Sequence, residues 1–421
     1  MKDEFLRHTG LMFIGVSLFN LFNLFYHLFM VRNLPPIEYG QLNTLMALFM
    51  IISVPASTVQ TAVTKFISSF QVQNKYDRAN RLLRHLLILM LIVGLAIFLS
   101  MVVGMRFISS FLQISSYGLI ILLAAGLFFA MIIPIPWGGL QGLQKFGSLT
   151  LNLIINGGLK LALGILFVFL GFGVLGAMGA IALSYGITFF LSLLILGGYL
   201  PKKRKSTLEQ DVEGAGPAYI SEVYHYFLPV GITLLCFMVL TNIDLILVKH
   251  FFMPIEAGFY SIAQMVGKII LFLPIPVVMV MFPTLSSLEG QAKALRTLRR
   301  SLMIAFFLCA GAILLGFLFP SLIVRILSGK VYPECISLVR LFCINMTLYS
   351  LVLILLYYHL STYRRGFLYP LIFLTLMQTG LILAFHRTLM QVLFMVGIVS
   401  ACLFGANFYW AFHRPGKGVQ R

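Results

Sequence analysis

Apolar residues run through this chain in blocks of about twenty, parted by short polar stretches, with no strict alternation and no single apolar helical face. A helix needs roughly 20 such residues to cross a bilayer, and the alternating pattern of barrel strands is not what these blocks show. Reading the blocks against Gly, Pro and charge predicts spans at 9–31, 41–63, 86–105, 118–140, 149–170 and 174–199. Six more follow at 226–248, 259–282, 301–323, 335–359, 367–385 and 389–412. The longest polar stretch, "PKKRKSTLEQDVEGAGPAYISE" (201–222), mixes charge, Gly and Pro and reads as the hinge between the two sets.

The second set echoes the first. Pro36, Ile37, Glu38 and Gly40 match Pro254, Ile255, Glu256 and Gly258 at an offset of 218. Without a gap the same offset pairs Ser68 and Ser69 with Ser286 and Ser287, Lys75 with Lys293, Arg78 with Arg296, and Arg81 with Arg299. One inserted residue upstream changes the offset to 217, pairing Val31 with Val248 and Arg32 with Lys249. The chain therefore reads as a duplicated six-span unit, and an even number of spans gives both copies the same orientation. The expected organisation is an N-terminal six-helix bundle over 1–199, a cytoplasmic linker over 200–224 and a homologous C-terminal bundle over 225–421. The fold class is an all-α polytopic membrane protein of about 12 transmembrane helices, with a central cavity.

Composition agrees: 60% of residues are hydrophobic and 10% charged, too apolar for the polar skin of a soluble domain. The head "MKDEFLRH" runs straight into the first block with no small-residue cleavage site, as expected of a retained span. Five cysteines form no CxxC and give no ground for a disulfide framework or a metal site. A net charge of +18 would suit a nucleic-acid partner if it were clustered, but it is spread over short loops. With the N-terminus cytoplasmic, 21 of the 30 lysines and arginines fall inside and six (Arg32, Arg106, Lys249, Arg325, Lys330, Arg387) outside. That bias places both termini in the cytoplasm and the protein in the cell membrane as a multi-pass protein, with no nucleic acid implied. The basic stretches 75–85 and 293–300 read as amphipathic segments lying on the anionic inner surface.

Three cations, Lys160, Lys268 and Arg340, fall within spans, as does Asp244. Intramembrane charges are costly, about 2.5–3.5 kcal/mol each on insertion scales, and usually face a cavity or a partner. Helical spacing sorts the polar residues into stripes: Asn20, Asn23 and His27; Asn152, Asn156 and Lys160; Thr241 and Asp244; Ser261, Gln264 and Lys268. At the offset of 217, His27 stands where Asp244 stands in the second copy. One reading makes these stripes the lining of a hydrated, net cationic cavity, with Lys160, Lys268 and Arg340 binding substrate and Asp244 and His27 coupling an ion. The other makes the Asn, Ser and Thr residues interhelical glue, Asp244 a packing partner of Lys249 or Lys268, and Arg340 a snorkelling side chain. Pro-x-Pro at 134–136 and 274–276 is expected to kink or break its helix. No DxD, Walker loop, Gly-rich nucleotide cradle or HExxH occurs, so a nucleotide-hydrolysing or metalloenzyme reading has no support, no catalytic residue is assigned, and no cofactor is expected.

"VRNLPPIEYGQLN" (31–43), "GLQGLQKF" (139–146), "TNIDLILVKHFFMPIEAGFYSIAQ" (241–264), "FPTLSSL" (282–288) and "LSGKVYPE" (327–334) together resemble the polysaccharide transporter family. Its members are lipid-linked oligosaccharide flippases of the multidrug/oligosaccharidyl-lipid/polysaccharide exporter superfamily. The resemblance implies two six-helix bundles in a V around a cavity, and export of a sugar chain on a polyprenyl diphosphate from the inner to the outer leaflet. It also implies cavity cations that meet the diphosphate, a role open to Lys160, Lys268 and Arg340, and an ion gradient as driving force. The implied partners are the polyprenyl-diphosphate oligosaccharide and membrane lipids, with a polysaccharide polymerase and glycosyltransferases alongside. Two neighbouring functions stay open. Peptidoglycan-precursor flippases carry two further C-terminal spans, and no span is predicted after residue 412. Cation-coupled multidrug exporters often hold an acid in span 1, where this chain has His27.

Overall fold

The computed structural model describes residues 2–73, 75–199, 217–287, 291–362 and 366–413. Residues 200–216, most of the expected linker with its four cations at 202–205, lie outside the described residues, as do Arg364, Arg365, Arg414, Lys417 and Arg421. Among the described residues every regular element is a helix. In chain order they are α1 (Lys2–Asn33), α2 (Pro36–Ile52), α3 (Val54–Val72), α4 (Tyr76–Val103), α5 (Met105–Phe111), α6 (Tyr117–Ile132), α7 (Pro134–Gly142), α8 (Phe146–Phe169) and α9 (Gly173–Tyr199). Then come α10 (Pro217–Leu240), α11 (Ile243–Phe251), α12 (Pro254–Phe272), α13 (Ile275–Ser287), α14 (Gln291–Leu318), α15 (Pro320–Ser328), α16 (Pro333–Ser361), α17 (Leu368–Ala384) and α18 (Leu389–His413).

Among the described residues ten single or nearly continuous helices are long and apolar enough to cross a membrane, and the pair α2 and α3, bent by 41°, makes one more. The remaining predicted span is the shorter apolar helix α17. This is the all-α, polytopic architecture expected from the blocks. The duplication shows element by element: a proline-started second helix that breaks partway (α2/α3, α12/α13), 28-residue third helices (α4, α14), and a short helix after each (α5, α15).

Prolines account for several of the breaks. Pro55, Pro134 and Pro320 occupy the first turns of α3, α7 and α15, where a missing N–H costs nothing. The Pro-x-Pro at 134–136 opens α7, and Pro274 closes the gap before α13. The basic stretches do not form separate surface helices: Arg78, Arg81 and Arg84 lie in α4, and Lys293 to Arg300 lie in α14. Neither run holds a Gly or Pro before mid-helix, so nothing stops the spanning helix from continuing into its charged end.

The described chain divides into two compact units, Met1–Leu34 with Leu48–Leu228, and Pro35–Ala47 with Pro229–Arg421. Each has its own apolar core, around Ile67, Leu83, Ile132 and Leu140 in the first and Leu298, Ile354, Leu355 and Tyr358 in the second. Small residues set the closest approaches. On α7 a methyl at Gly142 would sit 2.7 Å from Cβ of Ile67 on α3, and one at Gly138 would sit 2.8 Å from the Gln60 carbonyl oxygen. The four-residue spacing of these glycines is the small-xxx-small device that lets membrane helices touch backbone to backbone. Buried positions are often polar while large apolar side chains such as Phe169, Leu194 and Phe307 are more than 70% exposed. That distribution suits a lipid surround.

Candidate functional site

In the first unit α8 packs against α1, and two glycines fix how closely. A methyl at Gly157 would lie 3.1 Å from Cβ of Phe22, and one at Gly164 would lie 2.7 Å from Cε of Met30 and 2.8 Å from the Tyr26 ring. Lys160 sits between them on the same face, 5% exposed. Its Nζ donates to Asn23 Oδ1 at 2.8 Å and stands 4.4 Å from the centre of the Tyr26 ring. Both partners are held in place: Asn23 Nδ2 donates to the Phe19 carbonyl at 2.8 Å, and Tyr26 donates its hydroxyl to the Ala177 carbonyl at 2.9 Å. Among the described residues Lys160 has no carboxylate partner. A desolvated cation–π contact is worth about 2 kcal/mol and a hydrogen bond to a charged group about 1.5–3 kcal/mol, against several kcal/mol to desolvate an ammonium. Two of its three donors are uncommitted. The site is a buried ammonium held by neutral partners.

The rest of the first-unit stripe is divided. His27, half-buried, meets Tyr26 edge-on at 5.6 Å, and Asn20 is exposed on α1. Asn152 and Asn156 do not join Lys160: they face α9, where Ser192 donates to Asn152 Oδ1 at 2.7 Å and Asn156 Nδ2 donates to Thr188 Oγ1 at 3.3 Å. Trp137 completes this seam through its indole N–H to Ser192, 3.1 Å away. The α8–α9 contact uses these amides as glue, since polar groups cut off from water need partners.

In the second unit the polar residues gather at the gap between α10 and α11. Ending α10 at Leu240 frees its last carbonyls, and each finds a donor. Thr241 N–H and hydroxyl serve Phe237, Asn242 Nδ2 serves Met238 at 2.9 Å, Asn242 N–H serves Val239, and Gln378 Nε2 on α17 serves Leu240 at 2.8 Å. Asn242 Oδ1 then accepts from Lys268 Nζ at 3.0 Å. Asp244 lies in the first turn of α11, where its charge meets the positive end of the helix. It is fully buried, accepts the Tyr260 hydroxyl at 2.7 Å, and has Gln264 Nε2 at 3.4 Å. Gln264 Oε1 accepts from Asn43 at 3.1 Å.

Asp244 is therefore not the ion-pair partner of Lys249 or Lys268. Lys268 donates to Asn242 instead, and Lys249 Nζ, fully buried, has no hydrogen-bond partner among the described residues. Nor is Lys249 an outward loop cation, because α11 runs on to Phe251 and carries it inside the packing. Arg340 is exposed on α16 and joins neither group, and among the described residues Ser261 bonds its own helix through the Ala257 carbonyl. Tyr26, Tyr260, Asn242 and Gln378 belong to these sites without falling on any of the polar stripes in the sequence. The run Thr-Asn-Ile-Asp at 241–244, a helix stop followed by a helix start, was the available signal for the gap. Aromatic partners gave none, since a tyrosine in a span is indistinguishable from core.

Residues 5–289 match the family described as polysaccharide biosynthesis protein. No curated protein matches the chain. Among solved structures, an inward-facing multidrug resistance MATE family transporter of the MOP superfamily superposes with a TM-score of 0.75 at 18% identity, covering 95% of this chain and 97% of that one. Its outward-facing counterpart gives 0.65 at 20% identity over 96% and 94%. A MOP superfamily transporter from Pyrococcus furiosus, described as having a binding pocket of reverse polarity, gives 0.63 at 20% identity over 96% and 94%. At such identities the likeness is one of fold: two six-helix halves.

Proposed function

The chain belongs to the polysaccharide biosynthesis protein family, and from that premise we propose that it exports a polyprenyl-diphosphate-linked oligosaccharide from the inner to the outer leaflet of the cell membrane. The observation that carries this reading is Lys160: a buried ammonium with neutral partners and two open donors. A diphosphate crossing hydrocarbon needs such a group, since an unpaired anion in an apolar medium costs far more than any single contact returns. In the proposed cycle Lys160 holds the diphosphate, the prenyl tail stays in lipid, and alternating access carries the sugars across. The excess of inside cations supports cytoplasmic termini. The bonded pair of Asp244 and Gln264, linked to Asn43, is the proposed point at which an ion gradient drives the cycle.

Drug export is the weaker reading. Asp244, the carboxylate that falls within a predicted span, is fully buried with its oxygens already bonded, so it offers a cationic drug no open acceptor there. Deleting the gene and resolving membrane lipids by mass spectrometry tests the proposal. A polyprenyl-diphosphate oligosaccharide should accumulate on the cytoplasmic face, whereas an unchanged lipid profile with new sensitivity to cationic drugs would transfer the assignment to the exporter class.

A further inference from the structure

At one end of the second unit, where α11 and α17 finish and α12, α16 and α18 begin, a mouth of about 360 Å³ opens among Phe252, Glu256, Glu334, Ser337, Arg387 and Thr388. Its walls are fixed by helix starts. Glu256 Oε2 accepts the Met253 N–H at 3.1 Å, closing a capping box that leaves Oε1 uncommitted. Arg387 N–H donates to Gln391 Oε1 at 2.9 Å while Gln391 N–H donates to Thr388 Oγ1 at 3.2 Å, so the Arg387–Thr388 backbone is held reciprocally. Glu334 stands in the first turn of α16, behind Pro333. Among the described residues neither the Glu334 carboxylate nor the Arg387 guanidinium has a hydrogen-bond or ion-pair partner in the protein.

The charges decide what fits. Two carboxylates against one guanidinium repel a phosphate. The guanidinium repels a metal ion, and no three metal-ligating side chains cluster among the described residues. A neutral polyhydroxyl ligand satisfies both signs at once, its hydroxyls donating to carboxylates and accepting from arginine, Ser337 and Thr388. Leu389 and Met390, half-buried on the wall of the mouth beside the buried Phe252 and Leu338, supply the apolar surface that the C–H face of a sugar ring would cover. The volume lies at the lower end of the range for small-ligand sites, about 300–1,000 Å³.

We infer that this mouth is a saccharide subsite for one or two neutral sugar units of the exported chain, on the side that the charge count makes external. The inference rests on the exporter reading and assigns the sugar end of the substrate to groups separate from Lys160. The test uses the full-length protein in lipid nanodiscs and saturation-transfer NMR with methyl glycosides of glucose, galactose and N-acetylglucosamine, and with inorganic pyrophosphate as competitor. At least one neutral glycoside should bind, Glu334→Gln and Arg387→Gln should each raise its Kd about tenfold, as expected for losing a hydrogen bond to a charged group, and pyrophosphate should not displace it. Both side chains are exposed, so the variants should fold, and Ser337→Trp, which fills the mouth by bulk, should abolish binding independently. No glycoside binding, binding indifferent to all three variants, or displacement by pyrophosphate would overturn the subsite. Failure here with lipid accumulation in the deletion strain removes the subsite alone. Intact glycoside binding without lipid accumulation removes the exporter reading instead.

Discussion

The two buried charges with defined partners are treated differently by the fold. Lys160 is met by an amide oxygen and an aromatic ring, whereas Asp244 is met by a hydroxyl, an amide and a helix N-terminus. Tyr260→Phe removes the shortest of the Asp244 contacts and should lower stability by about 1–3 kcal/mol, the usual cost of stranding a buried acceptor, read as a drop in the thermal midpoint in detergent. Lys249 offers the opposite case: replacing its buried, unpartnered ammonium in Lys249→Met should raise that midpoint, and a fall would mean that the lysine has a partner in the membrane. The sequence exposed Lys160, Lys268 and Asp244 by their type alone, since any charge in an apolar block stands out. It could not distribute the amides between cavity and seam. Asn152 and Asn156 share a helix stripe with Lys160, but the direction each side chain takes depends on α9, whose Ser192 and Thr188 lie 32 and more residues away.

Glycine contacts govern the helices. The motif shared by 36–40 and 254–258 brings the starts of α2 and α12 together: a methyl at Gly40 would lie 3.0 Å from the Gly258 Cα, and one at Gly258 would run into the Pro36 carbonyl. Gly258→Ala should therefore cost at least about 2 kcal/mol through overpacking, while Gly311→Ala on α14, with nothing within 4 Å of the new methyl, should be neutral or mildly stabilising. Thermal midpoints of the pair check this directly; equal effects would contradict the packing described. Element positions were legible because apolar block length and proline report them directly. Helix ends were less so: α4 and α14 run past their predicted spans because charge does not terminate a helix. The α10–α11 gap was missed because it is closed by side-chain caps, above all Gln378 from α17, rather than by Gly or Pro.

At the scale of the molecule the duplication is visible twice, in the residue echo and in the matched order of long, broken and short helices. What the echo does not reveal is that residues 35–47 group with the second unit, since that grouping arises from contacts more than 200 residues apart, such as Asn43 with Gln264. The proposed orientation predicts that, in a Cys402→Ser background, a cysteine placed at Arg387 reacts with a membrane-impermeant maleimide in intact cells and one at Lys145 does not. The reverse pattern would invert the topology and with it the direction of transport.

Lys160 as the anchor of an anionic lipid carrier is the central claim. Its most direct test is leaflet-resolved translocation of a fluorescent polyprenyl-diphosphate saccharide by the purified protein in proteoliposomes, wild type against Lys160→Ala. The wild type should move the label across with Lys160→Ala folded but at least about tenfold slower, as the loss of one charge-assisted contact implies. Equal rates would contradict the account.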